Sequence, residues 1–245
     1  MQKWRNDMKV KRQKQIKQNE AVIAKAKNEI KPTIVIVLGV QGCGKGTLSE
    51  MYLSEHSTNV NYIGKKNVKY PNETNHPIKF KYIGTGDLLR SQPENSPERK
   101  AIDKGKFVPD SVIFNLLNQT ITTDTNVWGD GLARSFNQAK QLVQSYGRRF
   151  NIVAVHFDMP ESLVAKRIAQ RNAAGAGRAD DANMAAVKKR VDTFNRVTMP
   201  AITWMRTKPS VKYVWLPIQD APVDTNYQKL KSELNRVLAQ NYITL

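Results

Sequence analysis

The chain has 245 residues, 40% of them hydrophobic, enough to bury a core in one domain with insertions or in two small ones. Its 39 basic residues against 21 acidic ones leave a net charge of +18, which points to an anionic partner such as nucleotide, nucleic acid or an anionic surface. A single cysteine, Cys43, excludes an intramolecular disulfide framework and fits a reducing compartment, and no apolar run is long enough to cross a bilayer. The expectation is a soluble protein of the cytoplasm or another reducing compartment, the mitochondrial matrix included, so the sequons at Asn72 and Asn118 are chance matches.

Residues 1–31 carry ten Lys or Arg against Asp7, Glu20 and Glu29, a net of +7, with no apolar h-region and no sustained helical stripe. They read as an appended basic extension ahead of a domain covering 32–245. Residues 33–38, "TIVIVL", have the β-branched density of a buried strand. "GVQGCGKGT" follows at 39–47, and the return of helical pattern near Lys45 places it between a strand and a helix. Glycine suits such a turn because a Cβ would stop backbone N–H groups from turning inward around phosphate, while the helix N-terminus adds partial positive charge. Lys45 can then reach the β- and γ-phosphates, and Thr47 the phosphate or its Mg²⁺.

Residues 59–81 hold Lys65, Lys66, Lys69, Lys79 and Lys81 against Glu73, a net of +4, and Ile78, Phe80 and Tyr82 alternate with lysines. That alternation predicts a hairpin with one basic face, read first as a decorated solvent face and alternatively as a surface whose aromatic residues stack on bases. Further strands are expected at 126–128, 151–157 and 211–216, and a last helix in which Tyr227, Leu230, Leu234 and Val237 recur every three or four residues after an N-cap at Asp224 or Thr225. His156 falls on a strand as a core or edge histidine. Strands alternating with helices predict an α/β fold, a parallel sheet covered on both faces.

The form G-x-x-G-x-G-K-G-T at 39–47 resembles the phosphate loop of adenylate kinases and other nucleoside monophosphate kinases. Further stretches agree in order: "TGDLLR" (85–90), "GKFVPD" (105–110), "DGLARSFNQA" (130–139), and "MPESLVAKRIAQR" followed by "GRADD" and "KKR" (159–190). The resemblance implies a P-loop sheet with a small monophosphate-binding insert at 85–112 and a short lid at 172–180, too short for a zinc site, in a monomeric kinase domain. It implies ATP held by Gly42, Cys43, Gly44, Lys45, Gly46, Thr47 and Arg167, the last stacking on adenine. AMP would be held by Thr85, Arg90, Val108, Gly131, Arg134 and Gln138. Of the catalytic set Lys45, Arg134, Arg171, Arg178 and Arg190, Arg134 would grip the acceptor's α-phosphate with Arg90 and the last three would surround the transferring group. Asp130 would hold Mg²⁺ through water, and Asp180 and Asp181, as lid-hinge partners, would orient Arg178 rather than bind metal.

The implied reaction is Mg·ATP + AMP to 2 ADP, with UMP or CMP as the alternative acceptor. Because the acceptor phosphate is already an anionic nucleophile, positioned cations suffice and no general base is needed. A different class of reading is a non-catalytic, kinase-derived subunit of a ribonucleoprotein, holding RNA or another polyanion through 1–31 and 59–81. Two departures from the family pattern bear on the site. Leu132-Ala133 stands where the family has Phe-Pro and a cis peptide before the arginine, and one extra residue lies between Asp181 and Arg190.

Overall fold

A computed structural model describes residues 12–14, 31–56, 79–103, 108–122, 125–173, 175 and 184–242. Arg178, Asp180, Asp181, most of the extension and residues 59–78 of the insertion lie outside the described residues.

Five strands form one sheet: β1 (Thr33–Gly39), β2 (Phe80–Gly84), β3 (Asn126–Asp130), β4 (Asn151–Asp158) and β5 (Val211–Pro217). The order is β2-β3-β1-β4-β5 and every pairing is parallel. Parallel neighbours require crossovers, and the intervening helices supply them. They are α1 (Lys45–His56), α2 (Thr85–Arg90), α3 (Pro97–Asp103), α4 (Asp110–Thr120), α5 (Phe136–Tyr146), α6 (Glu161–Ala173), α7 (Met184–Thr193), α8 (Met199–Arg206) and α9 (Val223–Tyr242).

The alternation of β1 divides the core in two. Val35 and Val37 point to one face, among α1, α6, α7 and α9, while Ile34, Ile36 and Leu38 point to the other, among α4, α5 and α8. Burial on both faces is why this strand reads as a continuous apolar run. On the first face Trp128 stacks on Tyr52 at 5.1 Å between centroids and meets Phe80 edge-on at 5.9 Å. Tyr227, Leu230, Leu234 and Val237 are all buried on α9, as their spacing predicts, although the helix begins at Val223, just before the expected caps. Between α7 and α8 the helix passes through a π turn at Phe194–Thr198. Pro200 explains it: without an N–H it cannot donate to Arg196.

The structure changes one local reading. Phe80 and Lys81 belong to β2, a parallel edge strand paired with β3 from Phe80↔Asn126 to Gly84↔Asp130. Phe80, Tyr82 and Ile83 are buried, and Lys81 donates to the Thr120 carbonyl at the end of α4. The alternation therefore reports a sheet edge covered by helices rather than a solvated basic face.

Candidate nucleotide site

In an open parallel sheet, ligands bind outside the carboxyl ends of the strands where the strand order reverses. That reversal surrounds β1, and the candidate residues emerge from the carboxyl ends of β1, β2, β3 and β4. The loop after β1 turns through Gly42 at φ +82° and Gly44 at φ +90°, a region that favours glycine. It lies against α6: a Cβ on Gly42 would sit 3.3 Å from Ile168, and one on Gly44 3.7 Å from the Arg167 guanidinium. Gly46 faces open space, with nothing within 4 Å of the Cβ it lacks, and Gly46 and Thr47 form the exposed first turn of α1. The first N–H groups of that turn have no intrahelical partner, so the loop and helix start present donors and a dipole toward open space.

Lys45 folds back over the loop. Its Nζ donates to the carbonyls of Gly39 at 2.6 Å and Val40 at 3.0 Å, and lies 3.6 Å from the Cys43 sulfur. Cys43 is buried and acts as a small packing residue beneath the loop. Arg167 donates to the Gln219 carbonyl after β5 at 2.7 Å, which holds its planar group between Gly44 and that loop. Arg171 follows one turn later on α6, half-buried. Arg190, also half-buried, stands next to Val191, which with Val187 faces the core; these two valines set the register of α7 despite the extra residue.

A second group forms at β2 and β3. Thr85 is buried and its hydroxyl donates to the Gly131 carbonyl at 2.9 Å. Gly131 turns at φ +74°, and a Cβ there would lie 2.6 Å from Arg134 Nε, so the guanidinium covers the glycine backbone. The described peptide bonds are all trans, Leu132–Ala133 included; both residues are fully buried, and Arg134 still reaches the site. The Gln138 amide is held at both ends: Oε1 accepts from the Arg134 backbone N–H at 2.8 Å, and Nε2 donates to Asp110 at 2.8 Å. Arg90 is 55% exposed and pairs with Asp87 at 2.6 Å, beside Gly86. Val108, expected among the AMP-binding residues, is buried in the core cluster with Leu88, Leu89 and Ile113.

Asp130 lies between the two groups. It ends β3, in register with Val37 of β1 and Gly84 of β2, and the Tyr82 hydroxyl donates to its Oδ2 at 3.4 Å. Burial, together with the charges of Asp130, Asp87 and Glu50, pushes the Tyr82 phenol well above its ordinary range, so it remains a donor. Among the described residues no cluster of three or more His, Cys, Asp or Glu could cage a metal. A carboxylate at the carboxyl end of a strand beside the glycine loop suits Mg²⁺, which keeps most of its waters.

Asp110, Ser135 and Thr198, which hold Gln138 and Arg134 in place, escaped the sequence reading. Ser135 caps α5 by accepting from Gln138 N, and Thr198 donates to the Arg134 carbonyl at 2.9 Å. Asp110 closes the "GKFVPD" stretch and Ser135 follows Arg134, but nothing local marks whom they meet. His156 is a core histidine as expected, 5% exposed, with Nδ1 2.9 Å from the Tyr213 hydroxyl; burial holds its pKa below the usual value.

A sequence model described as adenylate kinase matches residues 71–210, more than half of the chain. The chain belongs to the adenylate kinase family. An adenylate kinase of Bacteroides thetaiotaomicron is 27% identical over 190 residues, covering 74% of this chain and 88% of that protein. A uridylate kinase of Saccharomyces cerevisiae is 27% identical over 217 residues, covering 79% of this chain and 92% of that protein. Among solved structures, a gluconokinase from Sinorhizobium meliloti superimposes with a TM-score of 0.51 at 16% identity, over 86% of this chain and 96% of that one, a likeness of fold alone. Membership makes the protein a phosphotransferase of the nucleoside monophosphate kinase type, from a family that in general uses ATP and Mg²⁺. Among the described residues no helix is long and apolar enough to cross a membrane.

Proposed function

We propose that this adenylate kinase family member transfers the γ-phosphoryl group of Mg·ATP to AMP, giving two ADP. The observation that carries this reading is the order of parts along the carboxyl edge: Thr85 after β2, Asp130 and Gly131 at β3, and the phosphate loop after β1. With neighbouring strands about 4.8 Å apart, β2 and β1 are about 10 Å apart with Asp130 between them, so an acceptor bound after β2 and a donor phosphate on the loop meet over β3. Lys45 exchanges the Gly39 and Val40 carbonyls for phosphate oxygens, and Arg167 stacks on the donor base. Arg90 and Arg134 grip the acceptor phosphate, and Arg171, Arg178 and Arg190 close on the transferring group. Asp130 would hold Mg²⁺ through water, and the ion would supply positive charge against the charge that develops on the transferring group. Positioning and cationic stabilisation account for the chemistry, since the acceptor oxyanion attacks without losing a proton.

AMP is favoured as acceptor because Thr85 and Gln138 converge with Gly131 and Arg134 on one spot. Gln138 Nε2 keeps a second hydrogen beyond the one given to Asp110, available to a ring nitrogen of the base. The similarity to a uridylate kinase, at the same identity as to an adenylate kinase, makes UMP the second reading. A coupled ADP-formation assay with each nucleoside monophosphate separates them. A site that hydrogen-bonds one base discriminates strongly, so kcat/KM for AMP is expected to exceed that for UMP and CMP by orders of magnitude; equal use of a pyrimidine acceptor would overturn the AMP reading.

A further inference from the structure

The parallel sheet has a second edge, formed by the amino ends of the strands and facing away from the phosphate loop. Pairings Thr33↔Asn151, Phe80↔Asn126 and Ile152↔Val211 set the strand starts level. The residues leading into them are basic. Lys31 precedes β1, Arg148 and Arg149 precede β4, Arg206 and Lys208 precede β5, and Lys212 is its second residue. Lys208 is half-buried and the other five are exposed. In the sequence Asp124 lies two residues before β3, while the stretches directly before β4 and β5, 147–150 and 207–210, contain no Asp or Glu.

Cations at this edge complement the carboxyl ends of the helices that stop there, and part of their hydrogen bonding is spent locally. Arg149 donates to the Ser145 carbonyl at 3.5 Å and lies 5.5 Å from the Tyr146 ring centroid. Arg206 lies 5.9 Å from the ring of Tyr213, and Lys208 4.9 Å from that of Trp204. Carbonyls and aromatic faces orient a cation without cancelling its charge. None of these six cations takes part in the ion pairs Arg90–Asp87, Arg99–Asp103, Lys166–Asp220, Lys231–Glu55 or Arg236–Glu233. The rim therefore keeps its net positive charge. The same edge is where the two basic appendages join the fold: residues 1–31 lead directly into β1, and the insertion lies between the end of α1 and the start of β2.

We propose that this amino edge binds the phosphate backbone of single-stranded nucleic acid, on the face opposite the nucleotide site and compatible with nucleotide binding. Five strands at about 4.8 Å spacing make an edge about 19 Å wide, a linear array matched to a chain of phosphates rather than to one small anion. A lipid surface fits less well, because interfacial binding buries apolar anchors, and among the described residues the exposed large hydrophobic ones, Phe136, Val197, Trp215 and Val223, are not in the stretches leading into the strands. Lysine and arginine on phosphate carry no base code, so binding is expected to be indifferent to sequence.

The test is fluorescence anisotropy of labelled oligouridylate, and of oligothymidylate as the deoxyribose counterpart, against the full chain at several salt concentrations. Binding should weaken linearly in log K against log salt. Each engaged cation removed should make the single-strand slope shallower by about 0.7. Replacing Arg148, Arg206, Lys208 and Lys212 together by Gln should thus flatten it by nearly three, and saturating ATP with AMP should leave affinity unchanged. Circular dichroism and thermal unfolding establish that the variant is folded; where it is not, the milder pair Arg148→Gln and Lys212→Gln should flatten the slope by about 1.4. The proposal is overturned by no binding at low salt, by an unchanged slope in a folded variant, by competition from ATP, or by binding confined to polyglutamate or to phosphatidylserine vesicles. None of these readouts depends on phosphoryl transfer, so the kinase reading and this one fail separately.

Discussion

On the β1 side of the candidate site the parts are mainly backbone: two left-handed glycines, the N–H groups of a helix start, and one lysine lying across its own loop. On the β2 and β3 side they are side chains joined across the chain, with Thr85 bonded to Gly131, Arg134 laid over Gly131, and Gln138 stretched between Asp110 and the Arg134 backbone. A phosphate cradle needs donors at fixed spacing, which a short stretch of backbone supplies by itself. Recognition of one nucleoside monophosphate among several needs groups brought together from different elements. The first kind of site is damaged most by losing its charge, the second by shifting a side chain.

The largest expected effect follows from the first side. Lys45→Met should lower kcat by about two orders of magnitude or more while leaving the fold intact, on the scale of the roughly 10³–10⁵ attributed to a catalytic arginine in related chemistry. Steady-state kinetics of purified enzyme check this, and full activity in the variant would remove the kinase reading. The contrasting change is Gly131→Ala, which places a methyl 2.6 Å from Arg134 Nε at a φ of +74°. It should raise KM for the acceptor by about tenfold, the worth of one charge-assisted contact at about 1.4 kcal/mol, with KM for ATP changed far less. Equal rises in both constants would mean that the two halves are not separable in this way.

The smallest effect is on stability. Burial, with the Lys45 charge, holds the His156 pKa below its model-peptide value of 6.5, while Asp158 opposes the shift. The unfolded chain then binds a proton near pH 6.5 that the folded chain accepts only at lower pH. His156 contributes its full stability above that point and loses it as pH falls toward the depressed folded value, by at most about 1.4 kcal/mol per pH unit. Urea unfolding between pH 5 and 8 should show this decline, and His156→Gln should flatten it. Removing the nearby cation in Lys45→Met should raise the His156 pKa, read from its imidazole resonances; no movement would mean that Lys45 does not act on β4 through charge.

The phosphate loop, strands β1 and β4 and the buried stripe of α9 were legible in the sequence because each is written within a few consecutive turns or alternations. Nine contiguous residues are enough to specify glycine positions, a helix start and a lysine, and period-2 or period-3.6 spacing reports the face a residue buries. The edge strand β2 was harder: its alternation of apolar residues with lysine is what a solvated hairpin would also show, and the pairing with β3 distinguishes them. Likewise Asp110 meets Gln138 across 28 positions, Thr85 meets Gly131 across 46, and Thr198 meets Arg134 across 64. Such meetings depend on the strand order β2-β3-β1-β4-β5, which sets elements distant in sequence side by side. No local pattern encodes that order, because it is decided by which apolar faces pack together once the whole chain is compact.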